Sequence, residues 1–424
     1  MQHYDYILAG GGMAGLSLAY YLNQSELRTK RILIIDREPK LKNDRTWAFW
    51  EEGPGPFDAI LHQNWGKVWF YGPRGDGPRK DGPPGGGTTG FSQQLDLTPY
   101  RYKLLRGLDF YQFVHAALAL NSTIEFLYSP ILRIGSGDEE AFVETEAGRF
   151  SADWVFDSTF RLDAMKPFGS DFKYLPTNPL PTGPPQLLQH FKGWLVRTKA
   201  PVFDPAAPVM MDFRVEQHGE CRFMYVLPGS TTEALVEFTL FTPALLPPDV
   251  YDSELKNYLR DFLNISEFEV LESEFGIIPM SDEPTHEHPA PRVVRIGTAG
   301  GTTRPSTGYT FSRTQRRLQA IAGNLLRFGQ PFAPGGRISP IPTRFLVYDR
   351  IFLNVFLKHR HAAADVFTRL YAHNRPAALF RFLDEQTSFS EELRVMWAAP
   401  KLPFVRAALD VLWQKIVPRP KTGQ

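Results

Sequence analysis

The chain opens on Tyr4-Asp5-Tyr6-Ile7-Leu8-Ala9-Gly10-Gly11-Gly12-Met13-Ala14-Gly15, an apolar run that ends in glycines and passes directly into a small-residue helical pattern. A second apolar run, Ile32-Leu33-Ile34-Ile35, closes on Asp36, which stands 21 residues after Gly15. Strand, glycine turn, helix, strand and terminal acid in this order are the layout of a dinucleotide-binding unit. Gly10 allows the tight exit from the strand, Gly12 lets backbone approach a pyrophosphate, and Gly15 lets the helix sit close to the sheet. The diphosphate would lie at the helix N-terminus, where free N–H groups and the macrodipole favour anions. Gly10, Gly12, Ala14, Gly15, Asp36 and Arg37 are thus the expected cofactor contacts at this end, with the Asp36 carboxylate on the ribose hydroxyls.

A second strand–glycine–helix passage comes late. Val293-Val294-Arg295-Ile296 runs into Gly297-Thr298-Ala299-Gly300-Gly301, then Pro305-Ser306-Thr307-Gly308-Tyr309, then a helical stretch over about 312–328. The chain is expected to return here to finish the nucleotide unit, so the units are discontinuous. Residues 1–50, 100–165 and 290–335 would bind the nucleotide. Residues 51–99 and 166–289 would form a β-rich substrate domain, and 336–424 a helical C-terminal region. Glycine turns at both ends of one fold fit FAD better than NAD, because hydroxylase-type FAD enzymes hold the ribityl chain and isoalloxazine on such a late passage. The fold class is α/β: a Rossmann-like FAD-binding domain of the hydroxylase/glutathione-reductase type, with an antiparallel sheet beside it.

Between these passages, residues 65–71 read as one strand, and residues 72–90, with 12 Gly or Pro in 19, as a loop. A helix follows an extended lead-in over 100–120, with Phe110, Phe113, Val114 and Leu118 on one face. Strands are expected at 123–128, 141–145 and 154–156. Pro176 to Pro208 marks a crossover into runs 193–198, 209–215, 221–227, 234–241 and 277–278, an antiparallel sheet interrupted by a helix over 252–263.

The totals exclude several functions. A net charge of +1 gives nucleic acid nothing to bind. One cysteine, Cys221, cannot form an intrachain disulfide or a cysteine metal site, and no histidine grouping has metal-ligand spacing. No basic-then-apolar leader and no uncharged apolar stretch of spanning length is apparent. A cytoplasmic protein is expected.

Four further stretches carry a resemblance: Asn43-Asp44-Arg45-Thr46-Trp47, Tyr225-Val226-Leu227-Pro228, Leu235-Val236-Glu237-Phe238-Thr239, and the late glycine passage through Phe311. With the N-terminal fingerprint, they resemble in order and spacing the motifs of flavin-dependent lycopene cyclases over roughly residues 4–320. The resemblance implies a reaction without net redox change on lycopene and related acyclic carotenes. A terminal double bond is protonated, a neighbouring double bond attacks the cation, and proton loss leaves a β-ionone ring. Reduced FAD would stabilise charge, with NADPH as electron source.

Glu237 matches the family's essential glutamate. The family often places a second acid beside it, where this chain has Phe238. A carboxyl in an apolar tunnel has its pKa raised by desolvation and can donate a proton. Arg45 and Arg106 are expected near the flavin, as are Gly297, Gly300, Gly301, Gly308 and Tyr309. Trp47 and Tyr225 are expected to meet the substrate, aromatic faces being able to stabilise a cation. Two alternatives stay open: a flavin oxidoreductase acting on an isoprenoid, such as a geranylgeranyl reductase or monooxygenase, and a non-catalytic flavin- or carotenoid-binding protein.

The last 89 residues hold 14 Lys and Arg against 7 Asp and Glu, interspersed with aromatic residues. Basic amphipathic helices of this kind lie on anionic bilayers. Peripheral attachment to the inner face of the cell membrane is the expectation, against a tail that simply packs on the core.

Overall fold

The computed structural model describes residues 2–74, 90–137, 139–160, 187–282, 285–338 and 342–416. Most of the loop expected at 72–90 and the start of the proline-rich crossover lie outside these residues.

Gln2–Ala9 is an inner strand of a seven-stranded sheet, parallel to Ile32–Asp36 on one side and to Gly148–Asp157 on the other. Ile124–Tyr128 continues the sheet in parallel beyond Ile32–Asp36, while Ala141–Thr145 and Ile131–Ser136 add antiparallel strands at the opposite edge. Val293–Arg295 runs parallel to the end of Gly148–Asp157, so the late passage does return to this sheet. Parallel strands are covered on both faces and need continuous apolar runs. Ile7, Leu8, Ala9, Ile32, Ile34 and Ile35 accordingly lie in the interior. Helices Met13–Asn23, Gly107–Ala119 and Phe311–Phe328 pack over one face.

The second sheet is ordered Glu269–Met280, Leu187–Arg197, Glu233–Thr242, Cys221–Pro228, Val209–Asp212, Lys67–Tyr71, Ser92–Asp96. All its pairings are antiparallel except Val209–Asp212 with Lys67–Tyr71. Alternation divides its side chains. Val236, Phe238 and Leu240 meet helix Pro248–Leu263 through Tyr251, Leu255 and Tyr258, whereas Tyr225, Leu227 and Leu235 belong to the core on the opposite face.

A three-stranded sheet, Thr46–Glu52, Tyr100–Arg106 and Gln63–Trp65, joins the two larger ones. It corrects the expectation of one strand over 65–71. The run is split at Gly66, with Gln63–Trp65 pairing in the small sheet and Lys67–Tyr71 in the large one. The apolar run looks continuous because both halves are buried, though against different neighbours.

Among the described residues five helices follow: Thr343–Leu357, Ala363–His373, Pro376–Leu383, Phe389–Met396 and Lys401–Ile416. Phe367 packs against Phe213 and Phe241 of the second-sheet region. Arg304, beside the late glycine passage, forms a buried ion pair of 3.1 Å with Asp349, and Ser306 Oγ donates to the same carboxylate at 2.6 Å. The helical region thereby fixes the loop that carries Gly308 and Tyr309. No helix among the described residues is long and apolar enough to cross a membrane.

Candidate active site

A cleft of about 1010 Å³ runs between the parallel sheet and the second sheet. At one end lies the N-terminal glycine turn. Gly10 has a φ of +109°, and a Cβ there would strike Ser158 Oγ at 2.2 Å. A Cβ on Gly15 would come within 2.0 Å of the Gly10 carbonyl oxygen, so the helix can sit this close to the strand exit only with glycine at that position. Gly12 has nothing within 4 Å of its Cβ direction, leaving open space over the turn. Helix Met13–Asn23 begins here with no side-chain cap and no acid in its first turn. Its first N–H groups are therefore unclaimed by side chains and can serve an anion. Asp36 accepts from the Gly11 N–H at 2.7 Å and lines the cleft with Arg37 and Lys40.

On the facing wall stands Glu237, in Glu233–Thr242 and directly opposite Tyr225. Thr239, two residues on and on the same face, donates to Glu237 Oε1 at 2.7 Å. What remains accessible of Glu237 faces the cleft; the rest is enclosed by protein. Burial, and then the nearby Glu274 carboxylate, hold the Glu237 carboxyl well above the usual range, against the opposing pull of the Thr239 hydrogen bond. Around it are the phenols of Tyr102, Tyr225 and Tyr309, all made poor acids by burial, with Tyr309 pushed up to about 12. Trp47 also lines the cleft, edge-on to Phe110.

Beyond this wall is a second cavity of about 590 Å³ between the second sheet and the C-terminal helices. Tyr225, Tyr309, Gln189 and Thr307 line both cavities and form the partition between them. The second cavity is lined by Phe223, Phe241, Phe352, Phe367 and Phe404, and it reaches Trp397 and Val405 at the surface. Phe389, Leu393, Leu402, Leu409, Leu412 and Trp413 extend that surface as exposed apolar side chains, beside Lys401, which sits 4.1 Å from the Trp397 ring.

The structure brings Gly10, Gly12, Ala14, Asp36, Arg37, Arg45, Trp47, Tyr225, Glu237, Gly297, Gly308 and Tyr309 to one cleft. It does not bring four others. Gly15 is packed behind the turn. Gly300 and Gly301 shape the short helix after Val293–Arg295, where a Cβ would meet the Arg295 carbonyl oxygen and Thr285 respectively. Arg106 corrects the expectation of a flavin contact. It shares a strand face with Tyr102 and Leu104 of the cleft but lies past the cleft's edge, in an ion pair of 2.5 Å with Glu272.

Sequence reading missed Glu274, whose carboxyl is in contact with that of Glu237. Alternation along Glu269–Met280 could have shown that it shares a face with Glu272. Nothing local connects it with a residue two strands away. Among the described residues no group of three or more His, Cys, Asp and Glu is placed to hold a metal.

The fold recurs in solved flavoproteins. A geranylgeranyl bacteriochlorophyll reductase-like protein from Thermoplasma acidophilum aligns with a TM-score of 0.57 at 14% identity, over 97% of this chain and 100% of its own. A flavoprotein/dehydrogenase from Cytophaga hutchinsonii aligns at 0.58 and 12% identity, over 98% and 100%. A variant of the halogenase PltM, solved in complex with FAD, aligns at 0.54 and 13% identity, over 98% and 93%. At these identities the likeness is one of fold. No curated protein matched by sequence. The sequence itself matches the family model described as lycopene cyclase protein over residues 5–409, nearly the whole length, and the chain belongs to that family.

Proposed function

We propose that the protein closes the ends of an acyclic carotene such as lycopene into β-ionone rings, with Glu237 as the proton donor and reduced FAD in the cleft. One observation carries this reading. A carboxyl that burial pushes well above the usual range opens on the cleft at the partition between the glycine turn and an aromatic, apolar cavity.

The residues present fit FAD. Open space above Gly12, an uncapped helix N-terminus and the Asp36 carboxylate would take the diphosphate and ribose. Gly297, Thr298 and Gly308 line the cleft further along, where the rest of the cofactor would be held. Gly308, at a φ of +72°, packs so closely on Gln189 that a Cβ would come within 1.9 Å of Gln189 Oε1. When bound and reduced, the flavin supplies an electron-rich ring that stabilises nearby positive charge.

Glu237 gives its proton to the terminal double bond of the polyene. The electron pair of a neighbouring double bond attacks the resulting cation and closes a six-membered ring. A ring carbon then returns a proton to the Glu237 carboxylate, and no electrons are gained or lost. The rings of Tyr225, Tyr309 and Trp47 offer π-faces to the intermediate cation, and the apolar wall excludes water that would trap it. The remaining polyene would lie in the 590 Å³ cavity, reached from the exposed apolar face of the C-terminal helices resting on a bilayer. NADPH is the proposed source of electrons for the flavin.

The test is to make the protein in cells that accumulate lycopene and to analyse their pigments. Ring-bearing carotenes support the reading. Unchanged lycopene alongside flavin-loaded protein would falsify it.

A further inference from the structure

In every ring closure Glu237 gives up a proton and takes one back, so its carboxylate must exist between the two steps. The surroundings are built against that anion. Gly193 is paired in register with Glu237 on one side and with Glu274 on the other, so the three residues share one face of the sheet. A Cβ at Gly193 would come within 3.1 Å of Glu274 Cγ, and glycine there lets a second carboxyl approach the first. The groups facing Glu237 are Glu274 from Glu269–Met280, Tyr225 from Cys221–Pro228, Tyr102 from the three-stranded sheet, Tyr309 from the late passage and Thr239 from its own strand. None of these carries a positive charge. Burial and Glu274 both disfavour the anion, and the Thr239 hydrogen bond favours it.

The Thr239 hydroxyl has no use in packing. The residue is fully buried and lines neither cavity, and its partners in register are Phe191 and Phe223. Valine has the same shape, suits a strand as well, and would put no polar atom into this aromatic row. A buried hydroxyl costs stability unless it is hydrogen-bonded. Among the described residues the partner of this one is Glu237 Oε1, at 2.7 Å. An oxygen that accepts this bond is the carbonyl oxygen of the neutral carboxyl, which puts the acid's own proton on Oε2. When that proton leaves, the Thr239 bond becomes charge-assisted and about twice as strong. It therefore stabilises the state after transfer more than the state before it.

We propose that Thr239 is the positioning residue of the proton transfer: its hydroxyl holds Oε1, commits the mobile proton to Oε2, and keeps the carboxylate in place until the ring carbon returns a proton to it. This rests on the proposed cyclisation. Over one closure the C–H bond formed at the chain end takes its proton from Oε2, and the C–H bond broken in the ring gives one back to Oε2. Thr239 keeps its own O–H throughout.

The experiment compares FAD-loaded wild type with Thr239→Val, which keeps the shape, and Thr239→Ser, which keeps the hydroxyl. The first readout is the infrared band of the protonated Glu237 carboxyl as pH is raised, assigned with Glu237→Gln. Thr239→Val removes a bond that favours the anion, so the proton is held more tightly and the band should persist to a pH higher by about one to two units. The second is single-turnover ring formation from lycopene in lipid vesicles with reduced flavin, at a pH where the wild-type acid is protonated. Thr239→Val should slow it by about 10-fold, because the weaker acid loses stabilisation that grows as the proton moves. Thr239→Ser should recover most of both. A band that ignores Thr239→Val, a first turnover at the wild-type rate, or a lost rate that Thr239→Ser fails to recover would each overturn the proposal. If wild type closes no ring while its band still moves in Thr239→Val, the cyclase reading falls and the hold of the hydroxyl on the carboxyl stands.

Discussion

Replacing Glu237 by Gln isolates the proton from everything else the side chain does. The amide is nearly isosteric. Its carbonyl oxygen can still accept from Thr239 Oγ1, and its NH₂ can donate to Glu274 Oε1, which otherwise lacks a partner. Fold and flavin content should therefore be retained, with stability within about 1 kcal/mol of wild type. The chemistry should not be. A positioned general acid is worth about 10²–10⁴ in rate, or about 3–5 kcal/mol of barrier. The upper part of that range applies, because the alternative donors that line the cleft beside it, Tyr102, Tyr225 and Tyr309, are all made weaker acids by burial. The assay is single-turnover ring formation by purified, flavin-reduced protein on lycopene in vesicles, followed by chromatography of the pigments. In wild type the protonated acid is the active form and its pKa is raised. The rate should hold as pH rises past the ordinary carboxyl range and fall at the higher pH that removes the proton. A Glu237→Gln protein that keeps its flavin and turns over within about 10-fold of wild type would refute the reasoning.

Gly308→Ala places a Cβ on a residue at a φ of +72° and against Gln189, so a loss of about 1–3 kcal/mol in denaturant unfolding and weaker flavin retention are expected. His190, buried between Thr242 Oγ1 and Tyr251 OH, has its pKa pushed down to about 3 by burial. The unfolded chain, with a pKa of about 6.5, therefore binds the proton first. His190 should cost stability as pH falls below that value, by up to about 1.4 kcal/mol per pH unit. Unfolding midpoints of wild type and His190→Gln at pH 7 and pH 5 read this directly, with a smaller acid loss expected in the variant. Arg304→Met leaves Asp349 buried and unpaired, so a loss of about 3–5 kcal/mol is expected by denaturant unfolding. The double change Leu409→Ser with Trp413→Ser removes two exposed apolar side chains from one helix and should lower binding to anionic vesicles by about 10-fold or more in a sedimentation assay.

The nucleotide unit was legible because its constraints are local. A glycine turn, an uncapped helix and an acid closing the next strand are all read within 36 residues, and each answers to sterics at its own position. The late passage was legible for the same reason at Gly297 and Gly308. Strand ends were harder. Leu187–Arg197 begins well before the expected 193, and Glu269–Met280 extends far beyond Ile277 and Ile278. An edge strand half in solvent has no continuous apolar run to announce it.

The candidate site was half legible. Glu237 could be picked out with its neighbours on the strand, where Phe238 stands in place of a second acid. Phe238 in fact turns to the other face, where it packs against Tyr251, and the second carboxyl arrives from Glu274. Arg106 was misplaced because the partner that holds it, Glu272, comes from a strand far along the chain.

The sequence alone determined the dinucleotide-type fold and the one carboxyl that family motifs single out, since both depend on residues close together in the chain. Tertiary structure alone decided that Gly193 sets two carboxyls side by side, that Asp349 anchors the loop bearing Tyr309, and that an aromatic partition divides the cleft from an apolar cavity. Those are contacts between strands and helices far apart in sequence. They are fixed by register and packing, which no local pattern of residues encodes.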